Sequence, residues 1–327
     1  MQPWKRLSCR EAKVYLRKDV SLTNLARLGA AQLLRLVRGS TALRLKRDLR
    51  DAAWLSEADA VVVSFPKSGR TYVRAMLARL YQRRFGIDER ALLEFPMLRR
   101  APPAAPRLLF THAGDAMRRP DQIDIEPAAY AGKKIVLLAR HPGDIAVSRY
   151  HHLKHRSRDR VRRRLAKQPL KSFVWADQGG IPSIVTFLNR FAALPGVTIL
   201  RYEDFLGQPE PSLRSLARAI GLKADRKDIA DAVAFARIDG LRGREREGYF
   251  TSPRLRLARK SDQDSGKVRE GGSGGYRSEL GESEAGRVDA YVRDHLDPRL
   301  GYSAAGSAGR GRKASSARRA ASRPPKA

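Results

Sequence analysis

Residue types suited to holding an anion crowd into one short stretch, Pro66-Lys67-Ser68-Gly69-Arg70-Thr71. Two cations and two hydroxyls supply donors, and the glycine lets the backbone bend and approach a ligand closely. An apolar run, Val61-Val62-Val63, precedes the stretch and a helical pattern follows it, so the free N–H groups of a helix start point at the same spot. The pattern predicts a site for a phosphate-like group. It is not a standard ATP loop, which needs a glycine four residues before Gly-Lys-Ser/Thr, whereas here Lys67 precedes Gly69. A second chemical candidate is His112, one of six histidines, because an imidazole titrates near neutrality and can take a proton from a hydroxyl. No cysteine or carboxylate cluster has the spacing of a metal site, and the single Cys9 excludes an intrachain disulfide.

These residues need elements to position them. Residues 60–65 are short, continuous and β-branched, as in a strand covered on both faces. From Thr71 the period changes: Tyr72, Val73, Met76, Leu77, Leu80 and Tyr81 mark a helix face, with Arg70, Arg74, Arg79 and Arg83 expected on the others. Further apolar runs at Leu108–Thr111, Ile135–Ala139 and Val197–Leu200 read as three more strands, with helical patterns between them and from Pro211 to Ile220 and Leu280 to His295. Strands alternating with helices predict an α/β fold with a central parallel sheet flanked by helices, three layers in all. In such folds ligands collect at the carboxyl ends of the strands, and Lys67, His112, Arg140 and Tyr202 all fall at or just past such ends.

The loop resembles the 5′-phosphosulfate loop of sulfotransferases that use 3′-phosphoadenosine-5′-phosphosulfate (PAPS), usually Pro-Lys-Ser-Gly-Thr-Thr-Trp, with Arg70 and Tyr72 standing in for the first threonine and the tryptophan. Three more segments are similar to that family in the same order: "RHPGDIAVS", "RYEDF" and "REGGSGGYR". The resemblance spans residues 58 to 296 and implies a P-loop-like fold. It also implies donor contacts from Pro66, Lys67, Ser68, Gly69, Arg70, Thr71 and Tyr72 at the 5′ end. Arg140 and Ser148 would hold the 3′-phosphate, where an arginine fork and a helix hydroxyl can converge. Tyr202 would contact the nucleotide, with Arg269, Glu270 and Gly271 clamping the same phosphate, although Glu270 stands where the family has a lysine. His112, in "LFTHAG", matches the family's Lys-Thr-His segment and would activate the acceptor. Lys67, Arg70 and the loop amides would stabilise the transferring sulfuryl group. PAPS is then the co-substrate, no metal is required, and the partner is a hydroxylated acceptor such as a glycan or lipid.

The formal charge of +32 over 327 residues also points to anionic partners. Residues 1–57 are basic and leucine-rich and predict an amphipathic helical extension that packs on the domain or lies on an acidic membrane surface. Residues 58–302 form the expected sulfotransferase domain, and 303–327, with seven Lys or Arg and no acid, a disordered basic tail able to contact a polyanion. The basic run 154–171 reads as a solvated helix or flap beside the site. With no apolar run long enough to span a membrane, the expected location is the cytoplasm, including the inner membrane surface. Two rival readings remain at this stage, a nucleotide-dependent kinase of related fold and a nucleic-acid or anionic-surface binder acting through the basic segments.

Overall fold

The computed structural model describes residues 40–155, 157, 160–255 and 272–302. The N-terminal segment up to residue 39, the expected clamp residues Arg269, Glu270 and Gly271, and the tail 303–327 lie outside the described residues.

Four parallel strands, β1 (Ala60–Val63), β2 (Leu108–Thr111), β3 (Lys134–Ala139) and β4 (Thr198–Arg201), form one sheet in the order β2-β1-β3-β4. The register runs Ala60 to Leu108 and to Lys134, and Val136 to Thr198. Strand side chains alternate between two cores. Val61, Val63, Leu109, Ile135, Leu137 and Ala139 enter one, while Ala60, Val62, Leu108, Phe110, Val136 and Leu138 enter the other. A sheet apolar on both faces must be covered on both, which gives the three expected layers.

Seven helices of ten or more residues flank the sheet among the described residues: α1 (Ser40–Glu57), α2 (Arg70–Phe85), α3 (Pro142–His155), α4 (Ile181–Ala192), α5 (Pro209–Ala219), α6 (Arg226–Phe235) and α7 (Glu282–His295). Helices α4 and α7 contribute Ile184, Phe187, Phe191, Val288 and Val292 to the first core, and α2, α5 and α6 contribute Met76, Leu77, Leu213, Leu216 and Ile229 to the second. The end of α1 packs on the domain through Leu55 and through Trp54, whose ring lies 5.5 Å from that of Phe95.

Three sequence expectations need correction. The first strand stops at Val63, leaving Ser64 and Phe65 in the loop, and the fourth is shifted one residue to Thr198–Arg201. Helix α2 is not amphipathic: Val73 to Ala78, Leu80 and Tyr81 are all buried, Arg74 among them at 3% exposure. Because α6 lies over its outer side, Arg79 pairs with Asp231 at 2.6 Å, and Arg83, which stays exposed, pairs with Asp228 at 3.3 Å. The basic run is only partly solvated, since Ala166, with Leu165 and Leu170 partly buried, packs against Tyr150 and Leu153 of α3.

Candidate active site

The parallel sheet brings the carboxyl ends of β1, β2, β3 and β4 to one edge, and the loop between β1 and α2 crosses it. Its backbone bends sharply, with φ of 83° at Lys67 and 78° at Gly69. For lysine that region is sparsely populated, costing about 1–3 kcal/mol, so surrounding contacts must hold it. One such contact is Arg140 at the end of β3, whose Nη1 donates to the Lys67 carbonyl over 2.8 Å. Gly69 is required by contact as well as by φ. A Cβ there would lie 2.1 Å from Cδ2 of Tyr202, which sits at the end of β4. The start of α2 has no side-chain cap, leaving first-turn amides available to an anion.

Arg140, Tyr202 and the loop form one unit. The Arg140 guanidinium lies 4.9 Å from the Tyr202 ring centroid, its Nη2 donates to the Gly272 carbonyl at 3.1 Å, and Tyr72 meets Tyr202 edge-on at 6.3 Å. Four buried polar atoms in this region have no hydrogen-bond partner: Ser64 Oγ, Ser68 Oγ, Arg70 Nη1 and Arg140 Nε. Buried polar groups are ordinarily satisfied. Of these, Ser68 and Arg70 flank the uncapped helix start, where unpartnered donors fit a bound anion with several acceptor oxygens, as a phosphosulfate has. Thr71 and Pro66 are half-buried in the same loop, and Ser148 is half-buried at the second turn of α3.

His112 follows β2 directly. Its Nδ1 donates to the Ser64 carbonyl at 2.7 Å, which fixes the tautomer and leaves the lone pair on Nε2. That lone pair faces Arg70, whose Nη2 lies 2.6 Å away. Burial, and then the Arg70 charge, hold the imidazole well below its ordinary value of 6.5, with Arg254 and Arg149 acting in the same direction. Burial pulls the Arg70 guanidinium down to about 9, so it stays charged at neutral pH.

Several positioning residues had no clear signal in the sequence. Asp144, in the first turn of α3, is 4% exposed and accepts from the backbone N–H of Gly274 at 2.8 Å and of Tyr276 at 3.2 Å. It thereby fixes the backbone that follows the glycine-rich stretch beside Arg140. Glu203 accepts from the His141 amide at 3.0 Å and from the Tyr302 hydroxyl at 2.6 Å, tying β4 to the start of α3. Arg149, on α3, donates to the Gly179 carbonyl and to the Ala116 carbonyl, and its guanidinium lies 5.2 Å from the Phe65 ring. Asp144 and Glu203 sat inside the quoted segments "RHPGDIAVS" and "RYEDF", which was the available hint.

A sequence-family model for the sulfotransferase domain matches residues 57–299. Among solved structures, the chain is similar to mouse sulfotransferase SULT7A1 complexed with PAP, at 16% identity and a TM-score of 0.52, over 76% of this chain and 90% of that one. It is also similar to retinol dehydratase in a complex with retinol and PAP, at 17% identity and a TM-score of 0.51, over 77% of this chain and 86% of that one. Identities this low carry the fold alone. No curated protein sequence matches the chain.

Proposed function

The chain belongs to the sulfotransferase domain family, and we propose that the loop 66–71, Arg140, Tyr202 and His112 are the residues with which it transfers a sulfuryl group to an acidic carbohydrate. It is a sulfotransferase with PAPS as donor, which sets aside the kinase reading. The observation that supports the residue assignment is a set of four orphaned buried polar atoms along the carboxyl edge of the sheet, Ser64 and Arg70 beside the end of β2, Ser68 in the loop and Arg140 at the end of β3.

In this reading Lys67, the amides from Gly69 to Thr71 and the Arg70 side chain hold the phosphosulfate and take up charge that develops on the bridging oxygen, the Ser68 amide being bonded to the Phe65 carbonyl. Arg140 and Ser148 hold the 3′-phosphate, with Tyr202 against the nucleotide. His112 Nε2 takes the proton of the acceptor hydroxyl as that oxygen bonds to sulfur. The bond from sulfur to the bridging oxygen breaks, and the electron pair leaves on adenosine 3′,5′-bisphosphate (PAP).

The acceptor class is supported by a cleft of ≈ 490 Å³ lined by Tyr150, Lys154, Arg163, Arg164, Ala166 and Lys167. Among the described residues its lining has four cations and no carboxylate. Lys154 is six residues beyond Ser148 on α3, about 9 Å along the helix, so an extended acceptor reaching the donor site could lay carboxylate or sulfate groups there.

Labelled PAPS offered with uronate-bearing oligosaccharides, neutral oligosaccharides, anionic lipids and small phenols tests this directly. Uronate-bearing oligosaccharides are expected as the best acceptors, and a preference for phenols or lipids would overturn the acceptor assignment. His112→Ala is expected to lose turnover by about 10²-fold or more while still binding PAP, the behaviour of a missing general base. Lys67→Ala should lose both turnover and PAP affinity, and unchanged affinity would remove Lys67 from the donor loop.

A further inference from the structure

Arg70 is where the loop departs from the usual family pattern, and its surroundings are unusual for an arginine. Nη2 lies 2.6 Å from His112 Nε2, while Nη1 is buried with no hydrogen-bond partner. Among the described residues no carboxylate lies within ion-pair distance of Arg70. The acids that act on it do so from further away: Glu94, already bonded to Ser252 and Arg254, and Asp51. A buried cation without an anion is costly, and the cost falls when an anion reaches it.

The charged groups around His112 are Arg70 on α2, Arg149 on α3 and Arg254 in the turn Pro253–Leu255, and the neutral Ser64 carbonyl holds Nδ1. With Nδ1 donating to that carbonyl, Nε2 is the ring's one acceptor, and the guanidinium occupies it. An acceptor hydroxyl cannot pass its proton to a lone pair already engaged in this way. A phosphosulfate on the loop offers Arg70 charged oxygens, and charge-assisted bonds to an anion are about twice as strong as bonds to a neutral acceptor.

We propose that Arg70 is a donor-dependent latch on the catalytic base: it holds His112 Nε2 in the donor-free protein and transfers to the phosphosulfate when PAPS binds, freeing the imidazole for the acceptor. The inference rests on reading residues 66–71 as the donor loop and His112 as the base. It makes Arg70 a positioning residue for His112 and a direct contact to the donor. It also imposes an order, since the base is competent only after the donor is in place.

Nitrogen-15 NMR of the histidine side chains, with His112 assigned by its loss in His112→Gln, reads the latch without needing an acceptor. The full-length protein is titrated alone and with PAPS, and Arg70→Thr is titrated alone and with PAPS, with donor binding checked by calorimetry. PAPS is expected to raise the His112 titration midpoint in the wild type by about one pH unit or more, as loss of a touching cation does. Arg70→Thr alone should already titrate at the raised position, and PAPS should move it by less than half as much. Should Arg70→Thr fold poorly, Arg70→Lys, which keeps the charge but loses the fork, should give an intermediate shift. Bound PAPS that leaves the wild-type midpoint in place, or an Arg70→Thr midpoint equal to wild type, overturns the latch. Wild-type turnover in His112→Ala would instead remove the base assignment, and that result is read from a separate experiment.

Discussion

At the scale of single residues the loop is defined by what cannot be substituted. Gly69 carries positive φ and touches the Tyr202 ring where a side chain would start, so Gly69→Ala forces either the loop or the tyrosine to move. We expect it to cost about 1–3 kcal/mol of stability and at least tenfold in PAP affinity, checked by urea midpoint and calorimetry; a variant unchanged in both would show that the ring yields freely. The glycine was legible in the sequence, because a loop between strand and helix that binds an anion needs one. Its contact with Tyr202 was not, since that residue is far along the chain and only the parallel sheet brings β4 near β1. The same holds for Arg70 and His112, which are 42 residues apart. Local pattern announces residue types and says little about which ones meet.

At the scale of elements, short apolar runs announced all four strands, because a strand covered on both faces has little other composition open to it, although Thr198–Arg201 at the sheet edge is only half-buried. The helix after the loop misled. Arg74 looked like a surface residue by spacing, yet its guanidinium donates to the carbonyls of Leu92 and Leu93 and stacks 4.4 Å from the Phe110 ring. Leu92 and Leu93 have φ of 49° and 51°, in a turn that this side chain braces alongside the backbone bonds from Leu92 to Glu89 and from Glu94 to Ala91. Arg74→Met is therefore expected to lose about 3 kcal/mol, because two carbonyls and the nearby Glu94 lose a buried partner. Chemical denaturation measures it; a loss below about 1 kcal/mol would mean the turn stands without the arginine.

For the molecule as a whole, two buried histidines set a pH dependence. Burial holds His141 down at about 4, stacked on the Tyr276 ring at 4.5 Å, and holds His112 well below 6.5. Both are neutral when folded and charge more readily when unfolded, so the unfolded chain binds more protons between these limits. The stability they contribute is fully present above about 6.5 and is lost as pH falls through the folded values. The melting temperature is expected to drop between pH 7 and pH 4.5, and His141→Gln should flatten part of the drop. Activity limited by the neutral base should hold down to below pH 6.5, because burial still holds the His112 imidazole below that value once Arg70 has moved to the donor. The strong positive charge was legible at once, whereas its division into paired arginines, such as Arg79 with Asp231, and the cationic lining of one cleft needed the fold.

The burial of α2 on nearly every side has a consequence for exchange with solvent. A helix roofed by α6 and floored by the sheet offers its amides little route to water, so they should be among the slowest in the protein to trade hydrogen for deuterium. The wall of the site built on α2 is then fixed before any ligand arrives. Whatever breathing admits and releases a nucleotide belongs to the opposite wall, where Arg140 and Asp144 reach across to Gly272 and Gly274.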